Sequence, residues 1–241
     1  MKILVTNDDG YTSIGLKKLV EKLKEYFIDS KIVVIAPKTQ KSATSHSIIL
    51  KGNIEFKKVE DIVEGIDTYY CDGNPADCTS FARCVLKFPY DLVVSGCNNG
   101  INLGYDIIYS GTVAGASDGL IDGKKGLAVS CKVGEFNSLE HFKSVLEYIY
   151  QNNLFEKTDL LNVNLVNDPK GIKLTKMGKS FYGAYYDQNE DGTYTPRMGV
   201  VEPDEKNDET TDWHAFSTGY ISITPLTIDS TDYNMLKEYK K

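Results

Sequence analysis

Asp8 and Asp9 stand side by side in the stretch ILVTNDDG. The residues Ile3 to Thr6 have the make-up of a buried strand, so that strand delivers two acids to its own tip. Adjacent like charges repel unless something positive lies between them. Two further oxygen donors recur in comparable places. They are the Ser42 hydroxyl in QKSATSHSIIL and the Asn98 amide after DLVVSG. Asp8, Asp9, Ser42 and Asn98 form an all-oxygen set with no Cys or His. Hard cations such as Mg²⁺, Mn²⁺ or Ca²⁺ prefer that shell; zinc and copper do not need it. Four protein ligands leave about two octahedral positions for a water and a substrate oxygen. The plainer alternative has Asp8 capping a turn and Asp9 solvated, since Asp-Asp-Gly is a frequent turn composition.

A second stretch suits an anion. In SGCNNGINLGYDIIYSGTVAGA a strand ends at Ser95-Gly96, and Ser110-Gly111-Thr112 opens a helix of small residues. Ser110 can cap that helix. The free N–H groups of its first turn, with the Ser110 and Thr112 hydroxyls, make an anion site, and Gly111 lets a phosphate approach the backbone. A purely structural helix start is the alternative. No Walker loop is present and no G-x-G-x-x-G follows the first strand, which disfavours a nucleoside triphosphatase or a dinucleotide enzyme. Lone His46 reads as a structural or surface residue. Asn74 and Asp77, in DGNPADC, read as helix caps or as substrate contacts.

The elements that must position these residues alternate. KILVT, KIVVIAP, DLVVSG, GLAVSC and LLNVNLV read as buried strands. IGLKKLVEKLKEYF, NPADCTSFARCVLKF, SGTVAGASDGLIDG and Leu139–Tyr150 read as helices, and residues 47–70 as short strands. The order predicts an α/β, doubly wound, mostly parallel and Rossmann-like sheet, whose ligands sit outside the carboxyl ends of the strands. Residues 178–212 change character. YYDQNEDGTYTP carries an Asp-Gly turn between tyrosines, a hairpin signal, and an acidic loop follows over 202–212. GYISITPL reads as a strand and DYNMLKEYKK as a terminal helix. The expected division is a catalytic domain over 1–177 and a projecting hairpin with a C-terminal arm over 178–241.

Bulk properties narrow the classes. The net charge of −7 argues against a stable nucleic-acid complex, which needs a basic face. Five cysteines without a C-x-x-C read as reduced core residues. The apolar run after Lys2 is too short for a signal peptide, and no window has the length of a membrane span. No membrane association and a cytoplasmic location are the expectations.

Taken together and in this order, ILVTNDDG, SATSHSIIL, GNPADC and DLVVSGCNNGINLGYDIIYSGTVAGA resemble the stationary-phase survival protein SurE family over most of residues 1–130. GYISITPL resembles the family's C-terminal pattern. The resemblance implies a metal-dependent 5′-nucleotidase acting on nucleoside monophosphates. It implies one divalent cation per subunit, Mg²⁺ or Mn²⁺, held by Asp8, Asp9, Ser42 and Asn98. It gives Asn102, Ser110, Gly111 and Thr112 roles near the phosphate, with Asp8, Asp9, Asn102 and Ser110 as the catalytic group. It also implies a homodimer or homotetramer built through the C-terminal arm. Ile101 stands where many relatives carry Pro, and Asn74 precedes Pro75; neither position is a proposed ligand. Asp8 as a covalent nucleophile is a second reading, disfavoured because the spacing of aspartyl-phosphate enzymes is absent. A non-catalytic nucleotide-binding regulator is a third.

Overall fold

Ile3, Leu4 and Val5 are fully buried, and this run forms β1 (Lys2–Thr6) with apolar contacts on both faces. A computed structural model describes residues 1–201 and 208–239. After β1, Ser13 caps α1 (Ile14–Tyr26), its hydroxyl accepting the Leu16 N–H, and Leu16, Leu19, Val20 and Leu23 give that helix one buried face. β2 (Lys31–Pro37), β3 (Phe56–Val59) and β4 (Thr68–Cys71) follow. α2 (Pro75–Cys84) starts with a proline in its first turn and a capping box between Asn74 and Asp77. Then come β5 (Leu92–Asn99), a 3₁₀ turn (Gly104–Ile108), α3 (Gly111–Ile121) and β6 (Lys125–Cys131). A second 3₁₀ turn (Phe136–His141) runs into α4 (Phe142–Gln151), and α5 (Leu154–Lys157) precedes β7 (Leu160–Leu165). β8 (Ile172–Leu174), β9 (Phe181–Gln188), β10 (Tyr194–Val201), α6 (Asp212–Ser217), β11 (Ile221–Leu226) and α7 (Tyr233–Glu238) complete the order.

Nine strands form one sheet in the order β3-β4-β2-β1-β5-β6-β7-β11-β8. The six from β4 to β7 run parallel. β3 and β11 pair antiparallel with β4 and β7, and β8 runs parallel to β11. Alternation along the strands sends Ile3 and Val5 to one face, where they pack with α1 and α4, and Leu4 to the other, where it packs with α2. The doubly wound, mostly parallel sheet expected from the sequence is the one found. Chain order reverses between β1 and β5, because β2 lies on one side of β1 and β5 on the other. That is the switch point at which such sheets open a crevice.

Three local expectations need correction. Residues 47–55 form no strand; only β3 and β4 arise within 47–70. The helix expected from Leu139 begins as a 3₁₀ turn and becomes α-helical at Phe142. The division after residue 177 does not separate the central sheet from an appendage, because β11 returns between β7 and β8 and its residues Ile221 to Thr224 are buried. A strand with an apolar face gains more from completing the sheet than from standing in a solvated arm. The hairpin of β9 and β10 is a separate two-stranded sheet. Its tip is the expected Asp-Gly turn: Gly192 has φ +82°, and Asp191 accepts the Thr193 N–H at 2.9 Å. Of the acidic loop 202–212, residues 202–207 lie outside the described residues.

Candidate active site

β1 ends at Thr6, and the chain turns at once through Asn7 to Gly10. The Asn7 side chain donates to the Gly10 carbonyl at 3.0 Å and to the Ser13 hydroxyl at 2.7 Å. This turn presents Asp8 and Asp9 at the switch point. Asp8 is almost wholly buried, 4 % exposed. Its Oδ1 accepts a short hydrogen bond from the Thr112 hydroxyl, and its backbone carbonyl accepts the Lys41 N–H at 2.7 Å. Burial pushes the Asp8 carboxyl up to about 6; the Thr112 hydroxyl opposes that rise and the Asp9 charge adds to it. Asp9 is half-buried, and burial raises it also, while the Asn99 N–H bonds its Oδ2 at 3.0 Å and acts the other way.

The other strand ends bring the remaining oxygens. Ser42 lies on the loop after β2, where the Gln40 amide donates to the Ser42 hydroxyl at 3.0 Å and reaches Asp9 Oδ1 at 3.5 Å. The positive end of one amide dipole thus lies between two of the four expected ligands. Asn98 sits near the end of β5, its Nδ2 donating to the Gly100 carbonyl at 2.8 Å. Asp8, Asp9, Ser42 and Asn98 all line a single cavity of about 790 Å³.

Asn102 and Ser110 line the same cavity. Asn102 is tied to the sheet: its N–H bonds Asn164 Oδ1 at 2.8 Å, its Nδ2 bonds Ser130 Oγ at 2.7 Å, and its carbonyl accepts from Asn162 and Asn164. Ser110 caps α3, its hydroxyl accepting the Val113 N–H at 3.1 Å. Gly111 brings that helix start against Asp8. A Cβ at Gly111 would lie 2.9 Å from Asp8 Cβ and 3.1 Å from the Thr44 hydroxyl, so no other residue fits without displacement. Thr112 turns its hydroxyl to Asp8. His46 does not line this cavity; it pairs with buried Asp118 of α3 at 3.3 Å.

The cavity lining contains Asp8, Asp9 and Asp106 and, among the described residues, no Lys, Arg or His. Nor does any trio of His, Cys, Asp and Glu gather as a metal cluster among them. Two carboxylates with neutral hydroxyl and amide oxygens are a hard-cation donor set, and they fit a divalent ion of that class. Several cavity residues were not singled out in the sequence. Gln40 had a signal, its proximity to Ser42. The Asn99 contact is made by backbone, which side-chain type does not announce. Tyr109, Phe181 and Tyr186 also line the cavity and resembled ordinary loop and strand residues.

The family described as Survival protein SurE matches residues 3–184. The chain belongs to the SurE family. A 5′-nucleotidase SurE of Clostridium botulinum (strain Eklund 17B / Type B) is 38 % identical, covering 100 % of this chain and 99 % of the relative. That of Thermoanaerobacter sp. (strain X514) is 39 % identical, covering 98 % and 96 %. The crystal structure of the SurE protein from Aquifex aeolicus superposes with a TM-score of 0.80 at 35 % identity, covering 100 % of this chain and 98 % of that one. The SurE match thus extends beyond the motifs in the first half and takes in the hairpin and the final strand.

Proposed function

We propose that this protein is a metal-dependent 5′-nucleotidase that hydrolyses nucleoside 5′-monophosphates to nucleoside and phosphate. The observation that carries the reading is the charge of the cavity. Two adjacent carboxylates face it, no Lys, Arg or His among the described residues lines it, and a capped helix N-terminus borders it. Such a cavity repels a phosphate dianion until a cation is added. The SurE relatives named 5′-nucleotidase support the substrate class.

Asp8, Asp9, Ser42 and Asn98 would hold one Mg²⁺ or Mn²⁺. The ion, when bound, supplies positive charge to the phosphoryl oxygens and acidifies a water near neutral pH. The chain's own residues do the rest. Thr112 fixes the Asp8 carboxylate by its hydroxyl, so that oxygen keeps one orientation through turnover. Asp9, the more exposed of the two acids, orients the attacking water and accepts its proton. The Ser110 hydroxyl and the Gly111 N–H at the start of α3 donate to phosphate oxygens as charge develops on them. Asn102, anchored to β6 and β7, holds the loop in register with the sheet.

Assembly belongs to the same reading. α7 buries none of its residues and leaves Tyr233, Met235 and Leu236 exposed, as is Tyr239 just after it, which supports a C-terminal arm covered by a second copy in a dimer or tetramer. No described helix is long and apolar enough to cross a membrane. All five cysteines are free, which supports a reducing compartment such as the cytoplasm.

Phosphate release from a panel of nucleotides and simple phosphomonoesters, with Mg²⁺, Mn²⁺ or a chelator, tests the proposal. Release from nucleoside 5′-monophosphates that stops on chelation is expected. Binding without release in every metal would favour a regulator instead. Full activity in Asp9→Asn would remove the assigned chemistry.

A further inference from the structure

The cavity of about 790 Å³ is far roomier than a phosphate group requires. Part of its lining is aromatic. Tyr109 precedes the phosphate-side Ser110, and Phe181 and Tyr186 come from β9 of the hairpin. Tyr109 is 58 % exposed and Tyr186 64 % exposed, so large ring surfaces stand uncovered beside a carboxylate site. A nucleobase is a flat π-surface, and every base can stack on such rings.

These rings come from two separate segments that are tied together. Asp212, fully buried at the start of α6, accepts the Gly104 N–H at 2.9 Å through one oxygen. Through the other it accepts the Gly178 N–H and the Trp213 N–H, both at 2.8 Å. Gly104 opens the 3₁₀ turn that leads to Tyr109; Gly178 lies just before β9. A second tie runs from the Tyr105 N–H to the Ser180 carbonyl at 2.8 Å. The approach is close enough that a Cβ on Gly104, itself at φ +55°, would fall 2.4 Å from the Ser180 oxygen. A buried carboxylate with three N–H donors is a rigid joint between the two segments.

We propose that Tyr109, Phe181 and Tyr186 form the wall against which the nucleoside half of the substrate lies, and that Asp212 is the positioning residue that sets this wall relative to the phosphate end. The proposal deepens the nucleotidase reading and rests on it for the substrate class. It assigns the hairpin to substrate recognition within the subunit.

Calorimetric titration with adenosine, and separately with inorganic phosphate, both in Mn²⁺, tests the wall without relying on turnover. Tyr186→Ala and Phe181→Ala are expected to weaken adenosine about tenfold, the scale of one lost base–aromatic stack. Tyr194→Ala, at the hairpin tip and outside the cavity, is the control and should stay within twofold. Asp212→Asn should lose at least threefold more adenosine affinity than phosphate affinity. Parallel losses would make Asp212 a merely structural residue and overturn its assignment. Adenosine binding at parental strength in both ring variants, or none in the parent, would overturn the wall. So would an affinity loss that appears only with a change in sedimentation, since the rings would then serve subunit packing. Failure of the parent to release phosphate from adenosine 5′-monophosphate would instead sink the nucleotidase reading and leave the binding result standing.

Discussion

At the scale of single residues, the site is built against its own stability. Asp8 is buried beside another carboxylate, and burial lifts its carboxyl to about 6. A neutral isostere removes the desolvation and the repulsion while still accepting from Thr112. In chelator, Asp8→Asn should therefore unfold at higher urea than the parent, by about 1–3 kcal/mol. In saturating Mn²⁺ the order should reverse, because only the parent gains the binding energy. Equal midpoints in both conditions would remove the ion from this place. Gly111 is constrained from the other side. Gly111→Ala pushes a methyl into Asp8 Cβ and should cost about 1–3 kcal/mol and much of the phosphatase activity, read by urea denaturation and phosphate release. Asp8, Asp9 and Asn98 were legible in the sequence because each stands just beyond an apolar run that ends abruptly, and Ser42 because it opens a small polar loop soon after another. The Thr112–Asp8 bond was not legible, since 104 positions separate the partners and only the packing of α3 on β1 joins them.

At the scale of elements, alternating strands and helices were legible because each buried run has its own period and its own stop signal. The place of β11 was not. Its alternating pattern marks a strand, but nothing local says that it runs antiparallel between β7 and β8. Its share in the core can be measured. Ile223 is fully buried, so Ile223→Ala should destabilise the whole domain by about 2–5 kcal/mol in a single cooperative transition. A separate early transition would mean that the C-terminal segment folds apart from the sheet. Asp212, just ahead of that strand, adds a pH dependence. Burial raises its carboxyl while the Gly104, Gly178 and Trp213 amides act against the rise. The folded state then holds the proton more tightly than the unfolded chain, so this group's contribution falls as pH rises from about 4 through the raised value. Asp212→Asn lacks that slope. Its stability deficit, measured by urea at several pH values, should be largest at the acidic end and shrink toward neutrality.

At the scale of the whole molecule, exposed apolar residues include a run on the segment after β11 and three tyrosines, Tyr185, Tyr186 and Tyr194, on the hairpin. Ile228, Tyr233, Met235, Leu236 and Tyr239 are each well exposed on the segment that follows β11. An apolar surface of this kind is what the proposed assembly through the C-terminal arm would cover. Ending the chain after Thr227 should reduce the sedimenting species to a single subunit while the central sheet stays folded by circular dichroism. An unchanged sedimentation coefficient per subunit would place the contact elsewhere.

The position of β1 has a consequence for how the protein is made. It is synthesised before every other strand of the sheet, yet it ends in the middle, flanked by β2 and by β5, which begins only at Leu92. Until that partner is synthesised, the strand that leads into both acids has one bare hydrogen-bonding edge. A stalled nascent chain ending short of Leu92 is thus a sticky intermediate, prone to pair with its neighbours on a polysome and suited to capture by a chaperone.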